Sequence, residues 1–94
     1  MIERIDSTWT RGTYIIIRNL GTYWNGKEHS TNRYDVLEQN NSPLGKIEWN
    51  TAWRKYWFLP AANTGYEEVC MEEISQFIKE ETAARKEARK NASV

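Results

Sequence analysis

Few side chains in this sequence have the type and spacing that catalysis or metal binding requires. His29 is the only histidine, which excludes a multi-histidine metal site, and its polar neighbours in residues 27–32 predict an ordinary solvated side chain. Cys70 is the only cysteine. A reactive thiol needs an open, electropositive setting, whereas Cys70 has two glutamates on either side. We therefore expect it to pack in the core as a small hydrophobic side chain.

The carboxylates that lie nearest to one another are Glu67, Glu68, Glu72 and Glu73. They fall in the first turns of a predicted helix, where the positive end of the helix dipole favours acidic residues. A glycosidase-type pair would need one acid in an apolar pocket, and the pattern places no glutamate in one. Residues 21–26 lack the glycine spacing and the lysine of a phosphate-binding loop. The sequence therefore predicts a protein that is not an enzyme and has no catalytic residue, cofactor or metal.

Length and composition predict one small domain with an aromatic core. The chain has 94 residues, including five Trp, five Tyr and two Phe, and each such ring can bury roughly 150–250 Å². The 13 basic and 13 acidic residues cancel, which disfavours nucleic-acid binding, because phosphate contacts usually come with a basic excess. A lone cysteine favours a reducing compartment. Since neither a signal peptide nor a membrane-spanning run is visible, we expect a cytoplasmic protein with no membrane partner.

A first β-hairpin is predicted before residue 39. Residues 14–17 are aromatic and β-branched, which is typical of a strand. Asn25-Gly26 is the strongest short hairpin signal, because both residues tolerate positive φ. The cross-strand partners expected from this turn are Ile17 with Tyr34 and Ile15 with Val36.

A second hairpin is predicted from residues 44–59. Residues 44–49 alternate between apolar and charged side chains, a tight turn at Thr51-Ala52 reverses the chain, and residues 54–59 return along it. The expected cross-strand partners are Ile47 with Tyr56 and Glu48 with Lys55.

Alternation divides this second hairpin into two faces. Ile47, Trp49, Tyr56 and Phe58 form the predicted inner face. Trp57 points the other way, and with one helix available to cover the sheet, its face should meet solvent. An exposed Trp beside basic residues often marks a contact site. The alternative is that the N-terminal arm folds across it.

The C-terminal part of the chain predicts one long helix. Thr64 and Glu67 have the spacing of a capping box. Apolar residues then recur at three- and four-residue steps, at Tyr66, Val69, Cys70, Ile74, Phe77 and Ile78. The sequence beyond this stripe is rich in Ala and charge, which predicts a solvated helical extension.

Together these elements predict a single α+β domain, an antiparallel β-meander of three to five strands with one long C-terminal helix packed on one face. We assign residues 1–11 to an N-terminal arm, 12–60 to the sheet, 65–80 to the core helix and 81–94 to the solvated tail.

Three segments share a residue order with known sequences. Residues 44–49 contain a G-x-I-x-W strand, residues 53–60 a W-R-x-Y-x-F-x-P strand, and residues 70–78 the pattern C-x3-I-x2-F-I. This order, which spans residues 34–79, resembles a family of small phage- and prophage-encoded proteins with no assigned activity. The resemblance implies an accessory protein of a mobile element and supplies no mechanism.

The leading hypothesis is a non-catalytic phage or prophage accessory protein that binds a macromolecule in the cytoplasm of a bacterial host. That partner would be a protein or a protein–nucleic acid complex, and one purpose would be anti-CRISPR or other anti-defence inhibition. The alternatives are direct DNA binding by the sheet, a sponge for a nucleotide signal, and a homodimer formed through the exposed Trp. The candidate contact residues are Trp57, Arg54, Lys55 and Lys46, with Trp24 and Tyr23 as a second patch.

Overall fold

The structure, a computed structural model, describes residues 3–5, 8–62 and 64–92. Six strands pair in sequence order into one antiparallel sheet, and a helix follows them. The elements are β1 (Glu3–Arg4), β2 (Trp9–Arg11), β3 (Ile15–Trp24), β4 (Lys27–Glu38), β5 (Pro43–Asn50), β6 (Lys55–Pro60) and α1 (Glu68–Ala92). The predicted α+β meander with one C-terminal helix is confirmed. The sheet has six strands rather than three to five, because the N-terminal arm contributes β1 and β2.

The β3–β4 hairpin turns where the sequence predicts it. Asn25 and Gly26 form the turn with φ angles of 54° and 75°, and Trp24 pairs with Lys27. Irregularities on either side of Gly21 then interrupt the ladder. Gly21 has a φ of 85°, a conformation that glycine adopts without steric cost.

These bulges shift the register of the hairpin by two residues. The observed partners are Ile17 with Val36 and Ile15 with Glu38, so the predicted pairs of Ile17 with Tyr34 and of Ile15 with Val36 are wrong. A two-residue shift leaves every side chain on its original face. The four apolar residues therefore still lie together in the core.

The β5–β6 hairpin has a four-residue turn, residues 51–54, where a two-residue turn was expected. Arg54, predicted to open the returning strand, lies in this turn with a left-handed φ of 54°. The longer turn shifts the register by two residues, which makes the predicted pairs of Ile47 with Tyr56 and of Glu48 with Lys55 wrong. The observed pairs are Ile47 with Phe58, Glu48 with Trp57, and Trp49 with Tyr56.

The sheet face turned toward α1 carries the core. Its buried members are Ile15, Ile17, Tyr34, Val36, Leu44, Ile47 and Tyr56 from the sheet, and Ile74 and Phe77 from the helix. Trp49, Phe58 and Cys70 are partly buried against this cluster. The predicted inner face of the second hairpin and the core position of Cys70 are therefore confirmed.

Helix α1 begins without the predicted capping box. Glu67 precedes the helix, and its carbonyl oxygen accepts the N–H of Met71 at 3.2 Å. The Thr64 hydroxyl donates to the carbonyl oxygen of Ala62 at 3.3 Å instead of capping the helix, so this prediction is wrong. Within the part of the chain that the structure describes, no helix is both long enough and apolar enough to span a membrane.

The helix continues beyond its apolar stripe as a partly packed segment. Glu81, Thr82 and Arg85 lie in the stretch expected to be solvated, yet each is half-buried. The Thr82 hydroxyl oxygen accepts the backbone N–H of Tyr56 at 3.1 Å. Polar contacts thus extend the helix–sheet interface past residue 80.

Glu73 connects α1 to the segment between β2 and β3. Its carboxylate accepts the backbone N–H groups of Thr13 at 2.6 Å and of Tyr14 at 2.7 Å, and its side chain is buried. Gly12 makes the approach feasible, because a Cβ at this position would collide with the Glu73 carboxylate. Glu73, which the sequence assigned to dipole compensation, therefore also makes a tertiary contact.

Candidate functional site

The sheet face opposite α1, which we call the outer face, is not covered by any described helix. Ile47 and Tyr56 point into the core, and neighbouring residues of a strand point to opposite faces, so Lys46 and Trp57 lie on the outer face. The described part of the N-terminal arm does not fold across Trp57. It extends the sheet as β1 and β2, at the edge farthest from β6.

Two ion pairs hold the carboxylates of the outer face. Arg18 bonds Asp35 at 2.6 Å and Arg33 bonds Glu48 at 2.7 Å, each pair joining adjacent strands. Such partly exposed pairs contribute little to stability, but each one neutralises a carboxylate. Lys46 is exposed, and its cross-strand neighbour is Asp35, which Arg18 already engages. Lys46 therefore leaves positive charge on this face.

Trp57 forms an aromatic pair with Trp53, a residue that the sequence did not single out. The two ring centroids lie 5.4 Å apart and the rings are nearly perpendicular, at 85°. Trp53 is 61% exposed, whereas Trp57 is half-buried. The sequence could have indicated this exposure, because Trp53 lies between two predicted strands. A Trp within a turn has few neighbours to bury it. The pair presents an indole in a fixed orientation at the edge of the outer face.

The other two basic candidates lie at the margin of the outer face. Arg54, displaced into the turn, lines a pocket with Trp49 and the end of α1. Lys55 starts the edge strand β6 and lines a groove between β6 and α1, where Phe58 is also found. Of the three basic residues proposed around Trp57, Lys46 lies with it on the outer face, Lys55 lies at the start of the same edge strand, and Arg54 lies in the turn.

Tyr23 and Trp24 do not form a joint patch. They are consecutive in β3, so their side chains point to opposite faces. Tyr23 is 63% exposed, while the Trp24 ring stacks on His29 with centroids 3.9 Å apart. The Arg33 guanidinium lies 5.8 Å from the centroid of Trp24. Trp24 is thus engaged locally, and His29 is part of that packing rather than the freely solvated side chain expected.

No family model, no curated protein and no solved structure matches this chain. Among the described residues, no three His, Cys, Asp or Glu side chains are grouped so that they could hold a metal ion.

The Cys70 thiol is expected to react slowly with electrophiles. Burial raises its pKa above the usual value, and the carboxylates of Glu67, Glu73 and Glu38 raise it further, so less of the nucleophilic thiolate is present at neutral pH. Iodoacetamide at pH 7.5 should modify the native protein several-fold more slowly than the same protein in urea, measured by intact mass. Equal rates in the two conditions would show that the thiol is not shielded.

Proposed function

We propose that this protein is a non-catalytic binding protein whose outer face docks onto an acidic surface of a partner protein. The observation that carries the proposal is the Trp53–Trp57 pair, with Trp53 61% exposed. It lies beside a sheet face that no described helix covers.

The aromatic pair has the properties of a binding anchor. Trp is enriched among residues that dominate binding energy at interfaces, because a large flat ring fills a pocket and excludes water. Trp57 holds Trp53 edge-to-face, which fixes the ring before binding. Less side-chain entropy is then lost when a partner covers it.

Charge indicates the chemistry of the partner. The carboxylates of Asp35 and Glu48 are engaged by arginines, and Lys46 adds an exposed ammonium to the same face. An acidic surface with an apolar centre is complementary to this arrangement. Complementary charge speeds association and selects against basic partners.

The biological setting of the proposal comes from the resemblance of residues 34–79 to phage and prophage proteins. On that resemblance, the protein would act in the cytoplasm of a bacterial host as an accessory protein of a mobile element. The partner would be a host protein, free or within a protein–nucleic acid complex, and an anti-CRISPR or other anti-defence inhibitor is the specific form of the hypothesis.

DNA reading by the outer face receives less support. A strand-inserting reader uses arginines to contact phosphates and base edges, whereas Arg18 and Arg33 are both bonded to carboxylates here. Each would have to break an ion pair before it could contact DNA. A protein partner is therefore the better match for the outer face.

The test of the proposal is whether a partner protein that binds the wild type still binds matched variants. We expect a host protein captured by the wild type to be lost with Trp53→Ala and with Lys46→Glu, and retained with Met71→Ala. Met71 provides the control because it is 57% exposed and belongs to the helix. Affinity for the purified partner should fall about tenfold or more with Trp53→Ala, measured by calorimetry.

Two results would contradict this proposal. One is a partner retained equally by Trp53→Ala and Met71→Ala. The other is a wild-type dimer, seen by light scattering, that becomes monomeric with Trp53→Ala, since the outer face would then be occupied by a second copy of the chain.

A further inference from the structure

A second candidate site lies on the helix side of the sheet, at the end of α1. An open pocket of about 390 Å³ lies there between the β5–β6 turn and the last turns of the helix. Its lining is one aromatic side chain and five cationic ones, Trp49, Arg54, Arg85, Lys86, Arg89 and Lys90. No carboxylate lines it. The neutral chain thus contains a strongly basic pocket.

Arg85 is the most buried of these cations. It is half-buried, and one of its terminal nitrogens donates to the Ser30 hydroxyl at 3.3 Å. Its Nε is buried and has no hydrogen-bond partner in the described part of the chain. An absent anion or other ligand is one ordinary explanation of a buried donor without a partner, although the Nε of Arg18, outside the pocket, is a second such donor. Glu81, one turn earlier, lies near the Tyr34 hydroxyl and does not line the pocket.

Trp49 gives the pocket a flat apolar wall. Its ring is held edge-to-face by Tyr56, with centroids 5.2 Å apart, so its orientation is fixed. Trp49 also lines a second pocket of about 270 Å³, whose lining includes Ser30, Glu48 and the stacked pair of Trp24 and His29. Two cavities therefore share one indole.

Dipole compensation accounts for basic residues at the end of a helix, but it does not account for the combination of residues that line this pocket. It requires no aromatic wall and no contribution from Arg54, which reaches the pocket from a separate turn. It also leaves the buried Nε of Arg85 unexplained.

We propose that the basic pocket binds a nucleoside phosphate, with the phosphate held by the arginines and the base stacked on Trp49. Guanidinium groups bond phosphate oxygens with well-defined geometry, and bases stack on aromatic side chains independently of sequence. The volume lies at the lower end of the range of about 300–1,000 Å³ found for small-ligand sites. The adjoining second pocket favours a nucleotide carried in a single strand over a free one. This site is separate from the outer face, and neither proposal depends on the other.

The test is fluorescence anisotropy of a fluorescein-labelled 15-nucleotide oligo(dT) at 50 mM NaCl, with ATP and inorganic phosphate as competitors. We expect Arg85→Ala combined with Arg89→Ala to weaken binding about tenfold or more, since hydrogen bonds to a charged group are lost. The matched control, Lys27→Ala combined with Lys79→Ala, removes the same charge at two exposed positions and should weaken binding less than about twofold.

Arg54→Gly provides a second variant that cannot act by unfolding the core. Arg54 is exposed with a φ of 54°, a conformation that suits glycine, so this change removes a pocket cation without straining the turn. Weaker oligo(dT) binding by Arg54→Gly supports the site. Binding of ATP to the wild type, weakened in both pocket variants, also supports the site. In that case the phosphate would come from a free nucleotide.

The proposal is overturned if the wild type binds neither oligo(dT) nor ATP at 50 mM NaCl. It is also overturned if the lysine control weakens binding as much as the arginine double variant, because binding would then be a general effect of charge. Retention of the outer-face protein partner by the arginine double variant would show that the two sites act separately.

Discussion

Replacement of Phe77 by alanine is expected to remove about 3–5 kcal/mol from the free energy of unfolding, the usual cost of emptying an aromatic core position. Phe77 is 1% exposed, and its ring packs edge-to-face on Tyr34 with centroids 4.9 Å apart. Tyr34 packs in turn on Tyr56. The substitution therefore opens a cavity at the point where helix and sheet meet.

A loss of this size is large compared with the total stability of a small domain, about 5–15 kcal/mol. Urea unfolding followed by Trp fluorescence would measure it. Phe77→Leu should lose less, because it fills most of the volume, and Gln76→Ala, an exposed neighbour, should change stability by no more than about 0.5 kcal/mol. Similar midpoints for Phe77→Ala and Gln76→Ala would mean that α1 is not packed on the sheet as described.

Replacement of Glu73 by alanine is expected to remove about 2–3 kcal/mol from the free energy of unfolding, although Glu73 is a charged residue on a helix. Its carboxylate accepts two backbone N–H groups, from Thr13 and Tyr14, and hydrogen bonds to a charged group are worth more than neutral ones. Alanine also leaves a gap beside Gly12, whose Cα lies close to the carboxylate.

The matched control for this second prediction is Glu72→Ala. Glu72 is exposed in the same turn of the helix, so it shares the dipole effect and lacks the tertiary contact. We expect its substitution to change stability by no more than about 0.5 kcal/mol. If both alanine variants unfold at the same urea concentration, Glu73 contributes only to the dipole and the contact with Thr13 carries no energy.

The sequence was sufficient to predict which residues face the core, and it was insufficient to predict which residues pair. Side-chain direction alternates with a period of two, so errors of two residues left Ile17 and Ile47 in the core. Registers depend on turns and bulges. A glycine within a strand often marks a bulge, so Gly21 was an available indication of the first shift.

Glu73 shows the same limit in the helix. It follows Cys70 by three residues and precedes Phe77 by four, which places it on the apolar stripe. That spacing indicated burial. The partner could not be found from the sequence, because Thr13 lies 60 residues away.

The candidate site was predictable only in part, because alternation predicts the face of a residue and not the length of a turn. Trp57 could be assigned to the outer face from alternation alone. The location of Arg54 depended on the length of one turn, and a four-residue turn moved it to the basic pocket. The pocket itself joins residues from three separate segments, which no local pattern connects.

The order of the strands has a consequence for how the chain reaches this structure. Each strand pairs with its neighbour in sequence, so the sheet can form through short loop closures, and proteins rich in local contacts fold quickly. The helix is the exception, because its contact with Thr13 closes a much longer loop. Assembly should therefore proceed from hairpins to helix docking, and loss of the Glu73 contact should mainly accelerate unfolding.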